Sequence, residues 1–203
     1  MLMQPIILAS ASPRRQELLS QIGVDFSVRA QDIDESIRAG ESAHDYVVRM
    51  AVEKANSALA ELGADPDQAG SIVLAADTSV VCDGEVLGKP ADEADALSML
   101  LRLSGREHRV LSAVSVASRD QQRTILSQSR VRFRDIDRDE ATQYYRSGEP
   151  EGKAGAYAIQ GFGAVFVEQL LGSYSGVMGL PLYETAQLLA DFDVTLNSSE
   201  KMA

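Results

Sequence analysis

The sequence predicts an α/β protein built on a mixed β-sheet, and three observations support this fold class. Apolar runs with strand character alternate with amphipathic segments of helical period along most of the 203 residues. Helical segments between the first strands predict crossover connections, which join parallel strands. Asp83 and Gly84 lie between two apolar runs and predict a tight hairpin, which joins antiparallel strands. Because both kinds of connection occur, a mixed sheet is favoured over a purely parallel, doubly wound one.

The first half of the chain predicts two strand–helix units followed by a long strand. The elements are a strand at 5–8, a helix through 16–22, a short strand at 26–29, a helix from 42 to about 62, a polar surface loop at 63–70 and a strand at 72–82. Ser12 is a good N-cap, Pro13 suits the first helical position, and Gly23 is a natural helix stop. Ser42 and Asp45 resemble a capping box, although Asp stands where Glu or Gln is usual.

The second half predicts two further helices between hairpin strands and a last helix near the end. The elements are a strand from 85, a helix to 103, strands at 110–117 and 124–133 joined by a polar turn at 120–122, a helix to 146, a strand at 164–170 and a helix to about 191. Asp92 caps the first of these helices and Gly105 ends it. Asp137 and Glu140 open the second, and Pro181 stands at the start of the last.

Composition excludes several classes of protein. The 45% hydrophobic content is ample for a core. The sequence contains no run of about 18 apolar residues, so we expect no membrane span. A formal net charge of −11 argues against a nucleic-acid polymer as the main partner, but not against one small polyanion bound in a local basic pocket. The sequence has a single cysteine, Cys82, and no signal-peptide pattern, and both observations predict a cytoplasmic protein. We expect Cys82 to pack in the core rather than act as a nucleophile. His44 and His108 show no ligand spacing, and we expect both on the surface.

The stretch at 8–15 predicts an anion site. It reads as the end of a strand, a tight turn and the start of a helix. Ser10, Ser12, Arg14 and Arg15 therefore cluster at a helix N-terminus, where backbone N–H groups, hydroxyls and guanidiniums suit a phosphate. The alternative is a capped helix with a solvated arginine pair.

Asp77 and Lys54 interrupt apolar patterns. Asp77 stands inside the run at 72–82, where a carboxylate is costly to bury unless it is paired or binds a metal. The alternative is a strand that ends at Ala76, but apolar character resumes at Val80. Lys54 borders the buried stripe of its helix, where a lysine either snorkels to water or points at a phosphate.

Counting residues along the predicted hairpin places Lys89 close to Asp77. If Asp83 and Gly84 are the two loop residues, Lys89 lies opposite Thr78. Directly opposite residues share a face, so Asp77 points to the other face of an ideal ladder, and only a bulge or a strand end would bring both charges into one pocket. The alternative is a solvated lysine.

Glu35 and Gln160 are weaker candidates on their own. Glu35 lies in an acidic turn and could complete, with Asp77, a divalent-metal site of oxygen ligands, although such turns are usually only solvated. Gln160 lies in the glycine-spaced loop at 153–161, which is not a Walker loop. Its amide carries a donor and an acceptor, which suits reading the edge of a base.

Taken together, these residues resemble the Maf family of nucleotide pyrophosphatases from about 7 to 192. The carrying motifs, in family order, are Ala-Ser-Ala-Ser-Pro-Arg-Arg at 9–15, Ala-x2-Lys-Ala at 51–55, Ala-Asp-Thr at 76–78, Gly-Lys-Pro at 88–90, Leu-Ser-Gly at 103–105, Lys-Ala-Gly-Ala-Tyr at 153–157, Ile-Gln-Gly at 159–161 and Gly-Leu-Pro-Leu at 179–182. Eight motifs in one order are far more specific than any single one.

The resemblance implies an enzyme that hydrolyses nucleoside triphosphates to the monophosphate and pyrophosphate with a divalent cation, Mg²⁺ or Mn²⁺. Asp77 matches the family's general base, and Glu35 with Asp77 would hold the metal; whether Asp77 acts as base or as ligand stays open. Arg14, Thr78 and Gln160 match the positions tied to substrate choice and have the residues of the dTTP/UTP branch. The remaining matches, all pocket positions that bind substrate, are Ser10, Arg15, Lys54 and Lys89.

The resemblance also implies the architecture and its setting. We expect an elongated mixed β-sheet flanked by helices, with two lobes around a central cleft (the Maf/ITPase-like fold), in one domain at 1–196 with a disordered tail at 197–203. The family is usually a cytoplasmic homodimer, so we expect nucleotides and a second copy as partners, with no nucleic-acid polymer and no membrane. The alternatives are a non-catalytic nucleotide-binding regulator of cell division and a pyrophosphatase for modified nucleotides such as 7-methyl-GTP.

Overall fold

In a computed structural model, the described residues are 5–63, 68 and 70–196, and these form seven strands and six α-helices. The strands are β1 (Ile6–Leu8), β2 (Ser27–Val28), β3 (Ile72–Cys82), β4 (Glu85–Leu87), β5 (Glu107–Ala117), β6 (Gln122–Phe133) and β7 (Val167–Leu171). The helices are α1 (Pro13–Gln21), α2 (Ala43–Leu62), α3 (Glu93–Leu103), α4 (Arg138–Arg146), α5 (Tyr174–Met178) and α6 (Leu182–Ala190), with short 3₁₀-helices at Ala154–Ala156 and Phe162–Phe166. The predicted tail at 197–203 and most of the predicted loop at 63–70 lie outside the described residues.

The seven strands form one mixed sheet, which confirms the predicted fold class. The strand order is β2-β1-β3-β5-β6-β7, and β4 pairs with β3 beside this path. β1 is parallel to β2 and β3, and the other pairs are antiparallel. Cys82 faces Glu85 across the hairpin, as the count predicts. Asp83 and Gly84 have φ values of 51° and 83°, the left-handed conformation that a type I′ turn requires at both positions.

One edge of β3 is open in its middle. β5 pairs with one edge of β3 along most of its length. The opposite edge is shared: β1 pairs with 72–74 and β4 pairs with 80–82, so 75–79 has no strand partner on that side among the described residues. Asp77 and Thr78 lie in this gap. Successive side chains of a strand point to opposite faces, but at an open edge both can reach the same space.

Two lobes stand on one face of the sheet, on either side of Thr78. Leu74 and Ala76 pack in an apolar cluster with α1 and α6. Val80 and Cys82 pack in another cluster with α3, α4 and the 3₁₀ segments. Thr78 lies between these clusters, so the predicted two-lobed arrangement with a cleft is confirmed. α2 covers the other face of β1, β3 and β5.

The helix starts confirm the predicted N-caps. Ser12, Ser42 and Asp92 each accept a hydrogen bond from the backbone N–H three residues later. Asp137 and Glu140 form a complete capping box at the start of α4. Within the described ranges, no helix is long and apolar enough for a membrane crossing.

The strand predicted at 164–170 is partly wrong. The 3₁₀-helix Phe162–Phe166 occupies its start, and β7 begins only at Val167. The backbone N–H groups of Phe162 and Gly163 donate to the carboxylate of Glu149, which turns the chain at this point instead of extending it. The short helix α5 was not predicted.

His44 is exposed, as expected, but the surface position expected for His108 is wrong. β5 begins at Glu107, earlier than predicted, and places His108 2% exposed inside the second lobe. Its Nε2 lies 2.9 Å from the hydroxyl of Tyr157, and its ring meets Phe133 edge-on. Burial lowers the pKa of His108 to about 4.

Candidate functional site

A cleft with a volume of about 780 Å³ opens at the unpaired stretch of β3. Every predicted site residue lines it: Ser10, Arg14, Arg15, Glu35, Lys54, Asp77, Thr78, Lys89 and Gln160. Asp77 and Thr78 reach it from opposite faces of β3, and Lys89 reaches it because the β4 ladder ends at Leu87. Asp77 and Lys89 can therefore reach the same cleft because β4 ends before Lys89, which is the strand end that the predicted hairpin register requires.

Arg15 is held in the cleft from three directions. Its Nε donates to the Gly179 carbonyl at 2.9 Å, Nη1 to Ser10 Oγ at 3.2 Å and Nη2 to Thr78 Oγ1 at 3.4 Å. Burial lowers the pKa of Arg15, while nearby carboxylates act in the opposite direction. The guanidinium is a fixed positive charge that joins α1, β3 and the loop after α5.

Lys54 joins two carboxylates across the cleft floor. Its Nζ lies 2.8 Å from Asp77 Oδ1 and 2.6 Å from Glu35 Oε1. Lys54 is 8% exposed, which places the ammonium inside the site rather than in bulk water. A buried ammonium with two carboxylate partners is compensated for its lost hydration.

Glu35 is held at both its backbone and its side chain. Burial raises the pKa of Glu35, but the hydrogen bond and charge of Lys54 outweigh it, so this pKa lies below its usual range. The Tyr46 hydroxyl donates to the Glu35 carbonyl oxygen at 2.9 Å. Burial, with the Asp77 and Glu35 charges, raises the pKa of Tyr46 to about 12, so this hydroxyl stays protonated and fixes the acidic turn against α2.

Three lining groups are available to a ligand. Lys89 is exposed and has no ion pair within 4 Å among the described residues, although its charge helps to lower the pKa of Glu35. The Gln160 amide has no hydrogen-bond partner within the described part of the chain. Arg14 pairs through Nη1 with Glu17, and its buried Nε has no described partner.

The site also contains groups that sequence reasoning missed. Ser112 lies opposite Thr78 on β5, with their hydroxyls 2.9 Å apart, and donates to the Gly176 carbonyl at 2.6 Å. The Gly179 carbonyl and Tyr46 are the others. Tyr46 lies two helical turns before Lys54, a spacing that could have flagged it. Ser112 carries no sequence signal, because its place depends on the β3–β5 register. Gly179 belongs to the motif at 179–182, but the role of its carbonyl depends on the position of the chain after α5.

The donor set fits a divalent cation that is shared with a phosphate ligand. The described residues contain no cluster of three or more His, Cys, Asp or Glu placed to hold a metal. Glu35 and Asp77 each direct one oxygen at Lys54, and the second oxygen of each has no described partner. Mg²⁺ is usually bound through one or two carboxylates with the rest of its sphere from water and phosphate.

Comparison with known proteins gives a consistent result over nearly the whole chain. The profile of the family described as Maf-like protein matches residues 5–192. The chain is 55% identical over 184 residues to the dTTP/UTP pyrophosphatase of Methylococcus capsulatus, covering 91% of this chain and 89% of that protein. It is 50% identical over 198 residues to the protein of the same name from Methylobacillus flagellatus, covering 98% of each. The dTTP/UTP pyrophosphatase of Hahella chejuensis is 48% identical over 191 residues, covering 94% of each chain.

Proposed function

Because the chain belongs to the Maf-like protein family, we propose that it is a nucleoside triphosphate pyrophosphatase that hydrolyses dTTP and UTP. The products are the nucleoside monophosphate and pyrophosphate, so the activity removes these nucleotides from the pool. The observation that carries the proposal is the carboxylate of Asp77, set at an open strand edge among fixed and free cations. The names of the relatives at 48–55% identity agree with this activity.

Asp77 is the group suited to activate water. The oxygen of the water attacks the α-phosphorus, the bond from that phosphorus to the bridging oxygen breaks, and pyrophosphate leaves with the electron pair. Asp77 orients this water and, unless a cation occupies its free oxygen, accepts its proton. The 2.8 Å contact with Lys54 keeps the carboxylate at a fixed position on the cleft floor.

The cations of the cleft match the charge of a triphosphate. Arg15 and Lys54 are held in place, whereas Lys89 is exposed and unpaired among described groups. Together with Arg14 they offset the negative charge that builds up on the leaving pyrophosphate. A chain with a net charge of −11 thus concentrates positive charge at one site, which suits a small polyanion.

We include a divalent cation, Mg²⁺ or Mn²⁺, in the proposal, with Glu35 and Asp77 as the residues that would hold it. When bound, such a cation supplies charge neutralisation on the phosphates and lowers the pKa of a coordinated water. Lys54 keeps both carboxylates turned to the same side of the cleft.

Base recognition falls to Gln160, with Thr78 and Arg14 shaping the pocket. The Gln160 amide can donate to O4 and accept from N3–H, the pattern that uracil and thymine share. Cytosine presents the reverse pattern, with an amine donor at C4 and an unprotonated N3, so the amide orientation that reads uracil leaves polar groups unpaired. The Thr78 hydroxyl is already bonded to Ser112 and Arg15, so Thr78 contributes shape more than a free hydrogen bond.

The setting of the enzyme completes the proposal. We expect a cytoplasmic homodimer with one domain at 1–196. The free, buried Cys82 fits a reducing compartment. Analytical ultracentrifugation of the purified chain tests the dimer, and a monomer at micromolar concentration would contradict it.

Pyrophosphate release from a panel of nucleotides tests the proposed activity. The panel contains UTP, dTTP, CTP, ATP, GTP and 7-methyl-GTP, each assayed with Mg²⁺, with Mn²⁺ and with EDTA. We expect UTP and dTTP to have the highest kcat/KM, CTP an intermediate value, and EDTA to abolish turnover. Nucleotide binding without pyrophosphate release under any condition would overturn the enzymatic assignment.

A further inference from the structure

The loop that carries Gln160 is held from behind by two side chains, Tyr144 and Glu149. The Tyr144 hydroxyl donates to Glu149 Oε1 at 2.6 Å and accepts from the Ala158 backbone N–H at 3.1 Å. Glu149 accepts two further hydrogen bonds, from the N–H of Phe162 at 2.8 Å and of Gly163 at 2.9 Å. The backbone is therefore bonded two residues before Gln160 and again two and three residues after it.

Two glycines allow this close approach. A Cβ on Gly161 would lie 2.3 Å from Oε2 of Glu149, and a Cβ on Gly163 would lie 2.7 Å from the Tyr144 hydroxyl. Gly161 has φ −110° and ψ −151°, which is not a left-handed conformation. A glycine is therefore needed here because a side chain would clash with Glu149. The loop rests directly on the two side chains.

The Tyr144–Glu149 pair is closely packed, and its hydrogen bonds favour one protonation state. Tyr144 is 2% exposed, and its ring packs edge-on against Phe166 with the centroids 5.1 Å apart. Burial raises the pKa of Glu149, but the bonds from the Tyr144 hydroxyl and the two backbone N–H groups outweigh it and hold this pKa below its usual range. At neutral pH the pair is therefore a charged acceptor with a neutral donor.

Gln160 depends on this support because its amide has no hydrogen-bond partner among the described residues. Its direction is set by the backbone on either side. Tyr144 and Glu149 do not line the cleft, so they act through the loop and not on a ligand. We propose that Tyr144 and Glu149 are positioning residues that determine base discrimination by fixing the loop around Gln160. This inference rests on the proposed function.

The test variant is Tyr144→Phe, which keeps the packed ring and removes the hydroxyl. The hydroxyl's bonds to Glu149 and from the Ala158 N–H are then both lost. We expect kcat/KM for UTP to fall about three- to tenfold, and the UTP-to-CTP ratio to fall with it. Tyr145→Phe is the matched control, because Tyr145 is the next residue of α4, packs on the same core and has no side-chain hydrogen bond in the described structure. It should leave the ratio unchanged.

A double-mutant cycle separates positioning from general support. In a Gln160→Ala background, Tyr144→Phe should no longer change the UTP-to-CTP ratio, because the group that it positions is absent. A second readout does not depend on activity. Hydrogen exchange of the backbone amides at 158, 162 and 163 should speed up in Tyr144→Phe while the amides of β3 keep their protection.

Each outcome bears on one of the two proposals. A wild-type protein that shows no preference for UTP and dTTP contradicts the proposed function before any variant is made. If wild type prefers UTP and Tyr144→Phe keeps the same UTP-to-CTP ratio, the positioning role is overturned. It is also overturned if Tyr144→Phe lowers kcat/KM equally for all nucleotides and does so in the Gln160→Ala background as well. If Tyr144→Phe does not fold, Glu149→Gln replaces it: an amide N–H₂ then faces the Phe162 N–H, and the same fall in ratio is expected.

Discussion

The ammonium of Lys54 lies 2.8 Å from Oδ1 of Asp77, across the face of the sheet that α2 covers. Asp77 would otherwise be a carboxylate in the interior of a long strand, which is costly to desolvate. The lysine compensates for this cost and leaves the second carboxylate oxygen of Asp77 without a partner among described groups. The arrangement keeps the Asp77 carboxylate in a fixed place at the open edge of β3.

Asp77→Asn should keep the fold and lower kcat by about 10²–10⁴-fold, because the shape is retained while charge and basicity are lost. Lys54 keeps Glu35 as a partner, so the unfolding midpoint should change little. Steady-state pyrophosphate release and a urea titration measure both. Asp83→Asn, in the exposed hairpin turn, is the control and should leave the rate unchanged. A rate within about threefold of wild type would remove Asp77 from the chemistry.

Lys54→Met should weaken triphosphate turnover and shift the acid side of the pH–activity profile to higher pH. Methionine keeps the apolar stem and removes the charge. Without the hydrogen bond and charge of Lys54, the pKa of Glu35 rises towards its usual value, so Glu35 protonates at higher pH and activity is lost earlier on acidification. Profiles of kcat/KM between pH 4 and 8 should show this upward shift. Unchanged kcat and KM across that range would place Lys54 outside the reaction.

Lys89→Met should act mainly through KM. Lys89 is exposed and unpaired among described residues, so it can meet the phosphates without breaking an existing contact. An exposed charge is also screened by salt. We expect KM for UTP to rise several-fold at low ionic strength and the difference from wild type to shrink in ~0.5 M salt. A KM equal to wild type at low salt would identify Lys89 as an ordinary surface residue.

The sequence predicts the site better than it predicts how the site is assembled. Asp77 and Lys54 could be found because each interrupts an apolar pattern, and the hairpin register followed from Asp83 and Gly84. The open edge of β3 cannot be predicted from the sequence. It exists only because β1 and β4 pair with different parts of the same side of β3 and leave its middle unpaired. Ser112 depends in the same way on strand pairing between distant segments.

Errors arose where a local pattern was incomplete. The apolar run at 110–117 predicts a start of β5 that is later than the observed start at Glu107, so His108, which lies inside the strand, is expected on the surface. The start of the strand predicted at 164–170 is apolar enough for β-structure, but Glu149 binds the Phe162 and Gly163 amides and turns the chain. Such long-range side-chain bonds to the backbone override local preference and leave no periodic signal.

The buried His108 should make stability depend on pH. Its pKa is about 4 in the folded protein and about 6.5 in an unfolded chain. Between these values the unfolded chain binds a proton that the folded protein does not, so the free energy of unfolding falls as the pH falls through this window. The slope from this group is at most ~1.4 kcal/mol per pH unit, and it declines towards zero as the pH rises above about 6.5.

Urea unfolding of wild type and His108→Gln between pH 4 and 8 measures this contribution. Glutamine does not titrate and can still bond to the Tyr157 hydroxyl, so the variant should have a flatter pH dependence in the acid window. His44→Gln, at an exposed position, should follow wild type. Parallel curves for wild type and His108→Gln would show that His108 does not govern acid stability.

Gln160→Glu gives the sharpest test of base recognition. A carboxylate can still accept from N3–H of uracil or thymine but can no longer donate to O4, so kcat/KM for UTP and dTTP should fall. Cytosine presents an amine at that edge, so CTP should lose less and the UTP-to-CTP ratio should drop by about tenfold or more. Gln169→Glu, exposed on β7, introduces the same charge away from the cleft and should behave as wild type. An equal loss for UTP, CTP and ATP would mean that the new charge repels the triphosphate and that Gln160 does not read the base.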